Sequence, residues 1–226
     1  MPTIDPIAHI HNGFTDKFGI PRQSGLIDQV VSRIVMEPAY RSADAFRGLE
    51  GFSHLWLIWG FSQAKREGNP LTVRPPRLGG NTRMGVFATR SPFRPNGLGL
   101  SCVKLEKIEH HPQLGTVLHV RGADLMNGTP IYDLKPYLPF ADARPEAAGG
   151  FTDQGLHHQL EVICPDELLA PVSEATRPIL LGILQQDPRP SYQENPERVY
   201  GVTYDGWNVR FRVTGNVLTV VEIQKV

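Results

Sequence analysis

Proline and glycine leave this chain little room for long helices. With 22 glycines and 20 prolines among 226 residues, both exceed their ordinary shares of about 7% and 5%, and they fall along the whole length, so uninterrupted runs are short. The one stretch with helical character, "PDELLAPVSEATRPILLGILQQ", is split by Pro171 and Pro178, because a proline inside a helix removes a hydrogen bond and clashes with the preceding turn. Only its tail, Ile179, Leu180, Ile183 and Leu184, has the spacing of a buried helix face. Elsewhere, apolar runs bounded by turn residues read as strands: "IDPIAHIHNGF", "QVVSRIVMEP", "HLWLIWGF", "GVFATR", "LSCVKLEKIEHH", "TVLHVRGADLM" and "PIYDLKPYL". The short, strongly apolar "HLWLIWGF" reads as a fully buried strand, and "SADAFRGLEGFS" as one or two helical turns with Ser42 as N-cap. Such a succession is what a meander or barrel needs. The small, polar, Gly-containing segment 141–158 marks a linker between a unit spanning 1–140 and a smaller α+β unit spanning 159–226. The latter closes with about three strands turned at Asp205-Gly206 and Gly215-Asn216.

Cys102 and Cys164 are too few for a disulfide framework or a cysteine metal site, and no histidine has metal-ligand spacing with a cysteine or carboxylate. No metal is expected. The N-terminus lacks a charged and apolar leader, and no stretch approaches the roughly 20 apolar residues of a membrane span, so the chain reads as cytoplasmic. The formal net charge of zero conceals segregation. Residues 65–94 carry seven cations (Lys65, Arg66, Arg74, Arg77, Arg83, Arg90, Arg94) against Glu67, a net +6, and residues 142–174 carry seven acids against Arg144, a net −6. A basic region of this kind suits phosphates.

Dinucleotide and P-loop signatures are absent: "NGLGLS" offers a Gly-x-Gly without the third glycine that opens a helix. What remains are loops suited to binding. "PRQSG" sets Arg22 and Gln23 beside a turn. "ATRSPFRPNGLG" holds Arg90, Ser91 and Arg94 between Pro92 and Pro95, which stiffen the backbone, and Gly97 and Gly99, which allow close approach. "DLMNGTPIYDLKPYLP" carries Asp124, Asn127, Gly128 and Thr129 in a turn and Asp133 after it. An Asn-Gly pair between strands is ordinarily a hairpin turn.

Taken in order, "GIPRQSG", "RGLEGFSHLW", "RPPRLGGNTRMGVFATRSPFRPNGLGLS" and "DLMNGTPIYDLKPYLP", and after them "QQDPRPSY" and "YGVTYDGWNVRFRV", closely resemble the TsaA-like family, whose characterised members are the tRNA methyltransferases called TrmO. The resemblance implies a mainly β protein: a small single-sheet, non-Rossmann β-barrel that binds S-adenosylmethionine (SAM), with the smaller α+β C-terminal domain, commonly a homodimer. It implies methylation of the exocyclic amine nitrogen of threonylcarbamoyladenosine next to the anticodon of threonine tRNA. Carried over by motif, the cofactor contacts would be Pro21, Arg22, Gln23, Ser62, Gln63, Arg90, Leu100, Met126, Asn127, Gly128 and Thr129. Asp133, Asp187 and Tyr192 are candidates to take the acceptor's proton. Many members have His where Ser62 stands and Asp where Asn127 stands. An alternative is therefore a noncatalytic RNA-binding module on the same barrel.

Overall fold

A computed structural model describes residues 4–64, 71–75, 78, 82–153, 159–189 and 195–226. Tyr192, Lys65, Arg66 and Arg77, singled out above, lie outside the described residues. Six strands close a barrel: β1 (Ala8–His11), β2 (Val31–Met36), β3 (His54–Gly60), β6 (Leu98–His111), β7 (Gly115–Arg121) and β8 (Pro130–Pro136), in the order β1-β2-β7-β6-β3-β8. Every neighbouring pair is antiparallel, and closure leaves no edge strand to protect. Two-residue strands β4 (Thr72–Val73) and β5 (Met84–Gly85) pair beside it.

Side chains alternate in and out along a strand, and the barrel core follows that period. Leu55, Leu57 and Trp59 of β3 point inward with Ile34 of β2, Leu118 of β7 and Ile131 of β8. The intervening Trp56 and Ile58 are only half-buried, so β3 is not the fully buried strand that its composition suggests. A barrel strand has an outer face, and here Trp56 is covered by the segment after β8: it packs at a tilt on Tyr137 and donates its indole N–H to Asp142 Oδ2 at 3.0 Å, at the end of the short helix α1 (Pro139–Asp142). The expected strand "GVFATR" is likewise corrected to a 3-10 turn at Val86–Ala88, closed where the Thr89 hydroxyl and N–H both donate to Val86 O. Ser42 does cap a 3-10 turn, accepting from Asp44 N–H.

The C-terminal unit is a four-stranded sheet, β10 (Tyr200–Tyr204), β11 (Trp207–Thr214), β12 (Val217–Lys225) and β9 (Glu161–Ile163), in the order β10-β11-β12-β9. The short α2 (Asp166–Leu169) precedes α3 (Arg177–Gln185), which buries Ile179, Leu180, Ile183 and Leu184. Pro178 does not split this helix but begins it, since the first turn has no use for the missing N–H.

The C-terminal core recruits the other half of the chain. Phe14, Ile27 and Val30, all from the loop between β1 and β2, are buried among the side chains of α3, β10 and β11. Phe14 meets Tyr204 edge-on at 4.9 Å between centroids, and Asp205 N–H donates to Gly13 O. Gly19 is required here: its φ is +88°, and a Cβ would stand 2.3 Å from Val202 Cγ2. The 13–30 loop, irregular in sequence, is thereby clamped between the two units.

Candidate active site

One large cleft, about 1070 Å³, opens where four segments meet at one end of the barrel. They are the clamped loop (Lys17 to Gln23), the end of β3 and the turn after it (Ile58 to Ala64), the stretch from Phe87 into β6 (to Leu100), and the connection from β7 to β8 (Asp124, Met126, Thr129). Typical small-molecule pockets run to about 300–1000 Å³, so the cleft has room for a cofactor together with part of an acceptor.

Its walls are chemically divided. Trp59 and Phe61 pack edge-on at 4.4 Å and, with Phe93, Leu98 and Met126, form an apolar, aromatic side. Lys17, Arg22, Arg90 and Arg94 bring cations to the rim. The 89–97 loop is rigid through its own hydrogen bonds. Arg94 donates to Thr89 O at 3.0 Å and to Ser91 O, Ser91 Oγ accepts from Phe93 N–H, and Gly97 N–H donates to Arg94 O. Arg94 and Ser91 are therefore struts, while Arg90 reaches across the cleft and donates to Gln23 Oε1. Gln23 in turn donates to Arg22 O, and Arg22 donates to Asp187 O at 3.3 Å. The close approach that Gly99 permits is to the protein itself: Trp59 lies opposite it in register, and a Cβ there would stand 2.3 Å from Trp59 Cε2.

At the cleft floor lies a polar chain that the sequence does not advertise. Trp59 Nε1 donates to Ser101 Oγ at 3.0 Å, and Ser101 Oγ donates to Asp124 Oδ1 at 2.5 Å. Direction is fixed, because an indole N–H can only donate and the hydroxyl has one proton to pass on. Burial pushes the Asp124 carboxyl above the ordinary range, opposed by the Ser101 bond, a backbone hydrogen bond at Ser24 and the Arg90 charge. A lone Asp between a strand and a turn carries no periodicity that signals burial, and a serine inside an apolar strand reads as filler. Only barrel closure brings Ser101 and Asp124 together.

Of the residues expected to hold the cofactor, Pro21, Arg22, Gln23, Ser62, Gln63, Arg90, Leu100, Met126 and Thr129 line this one cleft. Asn127 and Gly128 lie in its supporting turn instead. Gly128 has φ +78°, and Thr129 N–H donates to Met126 O. Asn127 Oδ1 accepts from Asn12 N–H at 3.1 Å, and its own N–H donates to Phe14 O. This Asn-Gly pair is not a hairpin turn, since β7 and β8 are not neighbours in the barrel. Asp133 does not line the cleft; it pairs with Lys135 Nζ at 2.9 Å. Asp187 lines a smaller recess of about 170 Å³ that shares Lys17, Ile20 and Arg22 with the cleft. Burial pushes its carboxyl up, but bidentate bonds from Arg189 at 2.8 and 2.9 Å and the Arg22 charge outweigh this and hold it below the ordinary range.

Known proteins share this architecture. The profile of the tRNA-methyltransferase O N-terminal domain matches residues 9–143, and that of the TrmO C-terminal domain matches residues 157–226. A tRNA (adenine(37)-N6)-methyltransferase of Escherichia coli strain K12 is 41% identical over 218 residues, covering 93% of this chain and 92% of that protein. A putative S-adenosylmethionine-dependent methyltransferase of Pseudomonas aeruginosa is 40% identical over 217 residues, covering 88% and 87%. A crystal structure of TrmO from Pseudomonas aeruginosa superposes with a TM-score of 0.79 at 31% identity, over 99% of both chains. With both its barrel and its C-terminal sheet matched, the chain belongs to the tRNA-methyltransferase O family.

Proposed function

We propose that this protein transfers a methyl group from SAM to the exocyclic N6 of adenosine 37 in tRNA, and that its substrate is threonine tRNA already carrying threonylcarbamoyl on that nitrogen. The observation that carries this is the cleft: one concavity, in a chain of this family, that joins an aromatic wall, a guanidinium and carboxamide network and a buried carboxylate. These groups fit SAM. The Trp59, Phe61 and Met126 side suits an adenine ring, Arg22, Gln23 and Arg90 suit an amino-acid carboxylate, Ser62 and Gln63 offer hydrogen bonds to ring edges, and Asp124 matches a cation. SAM supplies a methyl group on a sulfonium leaving group, so the chain's own task is alignment of the acceptor nitrogen.

Lys17 at the rim and the exposed Arg74 and Arg83 of the basic segment would meet anticodon-loop phosphates, which makes affinity salt-dependent. A base in a single-stranded loop costs less to present than one flipped from a duplex. Among the proton acceptors considered, Asp187 is adjacent but engaged with Arg189, which leaves it a weak base. A homodimer accords with Phe87 and Leu100, which border the cleft yet are 76% and 52% exposed. Among the described residues no helix is long and apolar enough to cross a membrane, and we place the enzyme in the cytoplasm, where tRNA is.

The test is methyl incorporation from labelled SAM into threonine tRNA prepared with and without threonylcarbamoyl. Transfer to the modified tRNA alone is expected. Equal transfer to both would assign a different acceptor, and binding of SAM and tRNA without transfer would make the protein a noncatalytic RNA-binding module.

A further inference from the structure

Asp124 is the carboxylate of the cleft that the hydrogen-bond network leaves satisfied in one respect and not in another. Its Oδ1 accepts from the Ser101 hydroxyl at 2.5 Å, and the Ser24 backbone lies close enough to favour its charged form. Its charge has no partner. Among the described residues no Lys, Arg or His forms an ion pair with it. Arg90 acts on it through space, but that guanidinium is bonded to Gln23 Oε1. Withdrawing an ionised carboxylate from water without a counter-charge is costly, and this one lines the cleft.

The two cationic groups of SAM make different demands. An ammonium brings three N–H donors and needs open acceptor positions, whereas a sulfonium donates no N–H and needs only negative charge nearby. A carboxylate at the cleft floor, with no ion-pair partner among the described residues and held from behind by Ser101 and Trp59, fits the second, while Arg22, Gln23 and Arg90 at the rim suit the amino-acid end. Asn127, where many family members carry a carboxylate, is neutral and turned toward Asn12. We infer that Asp124 is the residue by which this protein recognises the sulfonium of SAM, and so distinguishes the methyl donor from its demethylated product, with Ser101 and Trp59 as its positioning residues. The inference rests on the cleft being the SAM site. It also gives product release a physical reason, since transfer of the methyl removes the charge that Asp124 holds.

The experiment is calorimetric titration of the full-length protein with SAM and, separately, with S-adenosylhomocysteine, which is the same molecule without the methyl group and its charge. In Asp124→Asn, which keeps an acceptor for Ser101, the Kd for SAM should rise on the order of ten-fold while that for S-adenosylhomocysteine moves less than about two-fold. Asp124→Ser covers the case in which the amide disturbs the Ser24 contact, and the same selective loss is expected. Ser101→Ala retains the charge but releases its position, so SAM should weaken by a smaller factor, about two- to five-fold, with S-adenosylhomocysteine again little changed; no change in SAM affinity would remove Ser101 from the positioning role. Equal weakening of both ligands in folded Asp124 variants would place the carboxylate on the ammonium that both share and overturn the assignment, as would no weakening of either. Failure of the unaltered protein to bind SAM would instead overturn the reading of the cleft itself.

Discussion

Phe14→Ala tests how the 13–30 loop is held. Phe14 is fully buried, lies only three residues beyond β1, and yet packs edge-on against Tyr204 in the C-terminal core. Truncating a buried Phe to Ala costs about 3–5 kcal/mol, of which roughly 1 kcal/mol is the aromatic pair itself. For a chain of this size each kcal/mol lowers the Tm by about 2–4 °C, so a drop of about 10 °C is expected. The loss should not stay local. The same loop carries Pro21, Arg22 and Gln23 into the cleft, and Asn127 N–H donates to Phe14 O, so loosening it disorders one wall of the site. SAM affinity should therefore fall about ten-fold, roughly 1.4 kcal/mol of lost preorganisation, although Phe14 itself does not line the cleft. Thermal unfolding by circular dichroism and calorimetric titration with SAM read the two effects. A full Tm drop with unchanged SAM affinity would refute the coupling and mean that the barrel alone holds the loop.

Other consequences of the same geometry are separately measurable. Removing residues 141–226 strips the partners of Phe14, Ile27 and Val30, so the fragment 1–140 should keep barrel strands by circular dichroism but bind SAM at least ten-fold more weakly than the full chain. Arg90→Ala should abolish measurable methyl transfer with a Tm change under about 2 °C, because an exposed rim guanidinium adds little to either core. Gly99→Ala drives a methyl group into the Trp59 indole and should cost about 1–3 kcal/mol in a urea denaturation series. Asp187→Asn keeps a residue that tolerates the observed φ of +49° while removing the charge that Arg189 holds. The folded-state pKa of Asp187 is depressed, so its contribution is present above the unfolded value of about 3.9 and is lost as pH falls through the lower native one. The variant should be less stable by roughly 1–3 kcal/mol at pH 7, with the gap closing in strong acid. A gap unchanged at acid pH would show that the ion pair is not its source.

The legible parts of the chain are those where local chemistry suffices. Apolar runs bounded by turn residues marked most of the barrel strands, Ile179 and Leu180 with Ile183 and Leu184 marked α3, and the stiffened arginine loop marked one wall of the cleft. Misreadings came where composition stood in for environment. The apolar run of β3 does not say that Trp56 faces outward onto Tyr137 and Asp142. Pro178 looks like a helix breaker until the helix is seen to start there. Asn127-Gly128 looks like a hairpin until the strands on either side prove not to be neighbours.

Residue type and short spacing were enough to establish the mainly β character, the positions of the turns and, through the order of the motifs, the family. They were not enough to show that a loop of the barrel half completes the C-terminal core, or that Trp59, Ser101 and Asp124 line up at the floor of one cleft. Those contacts join residues 23 to about 190 positions apart, and only closure of the barrel and docking of the second sheet bring such distant residues within hydrogen-bond or packing reach.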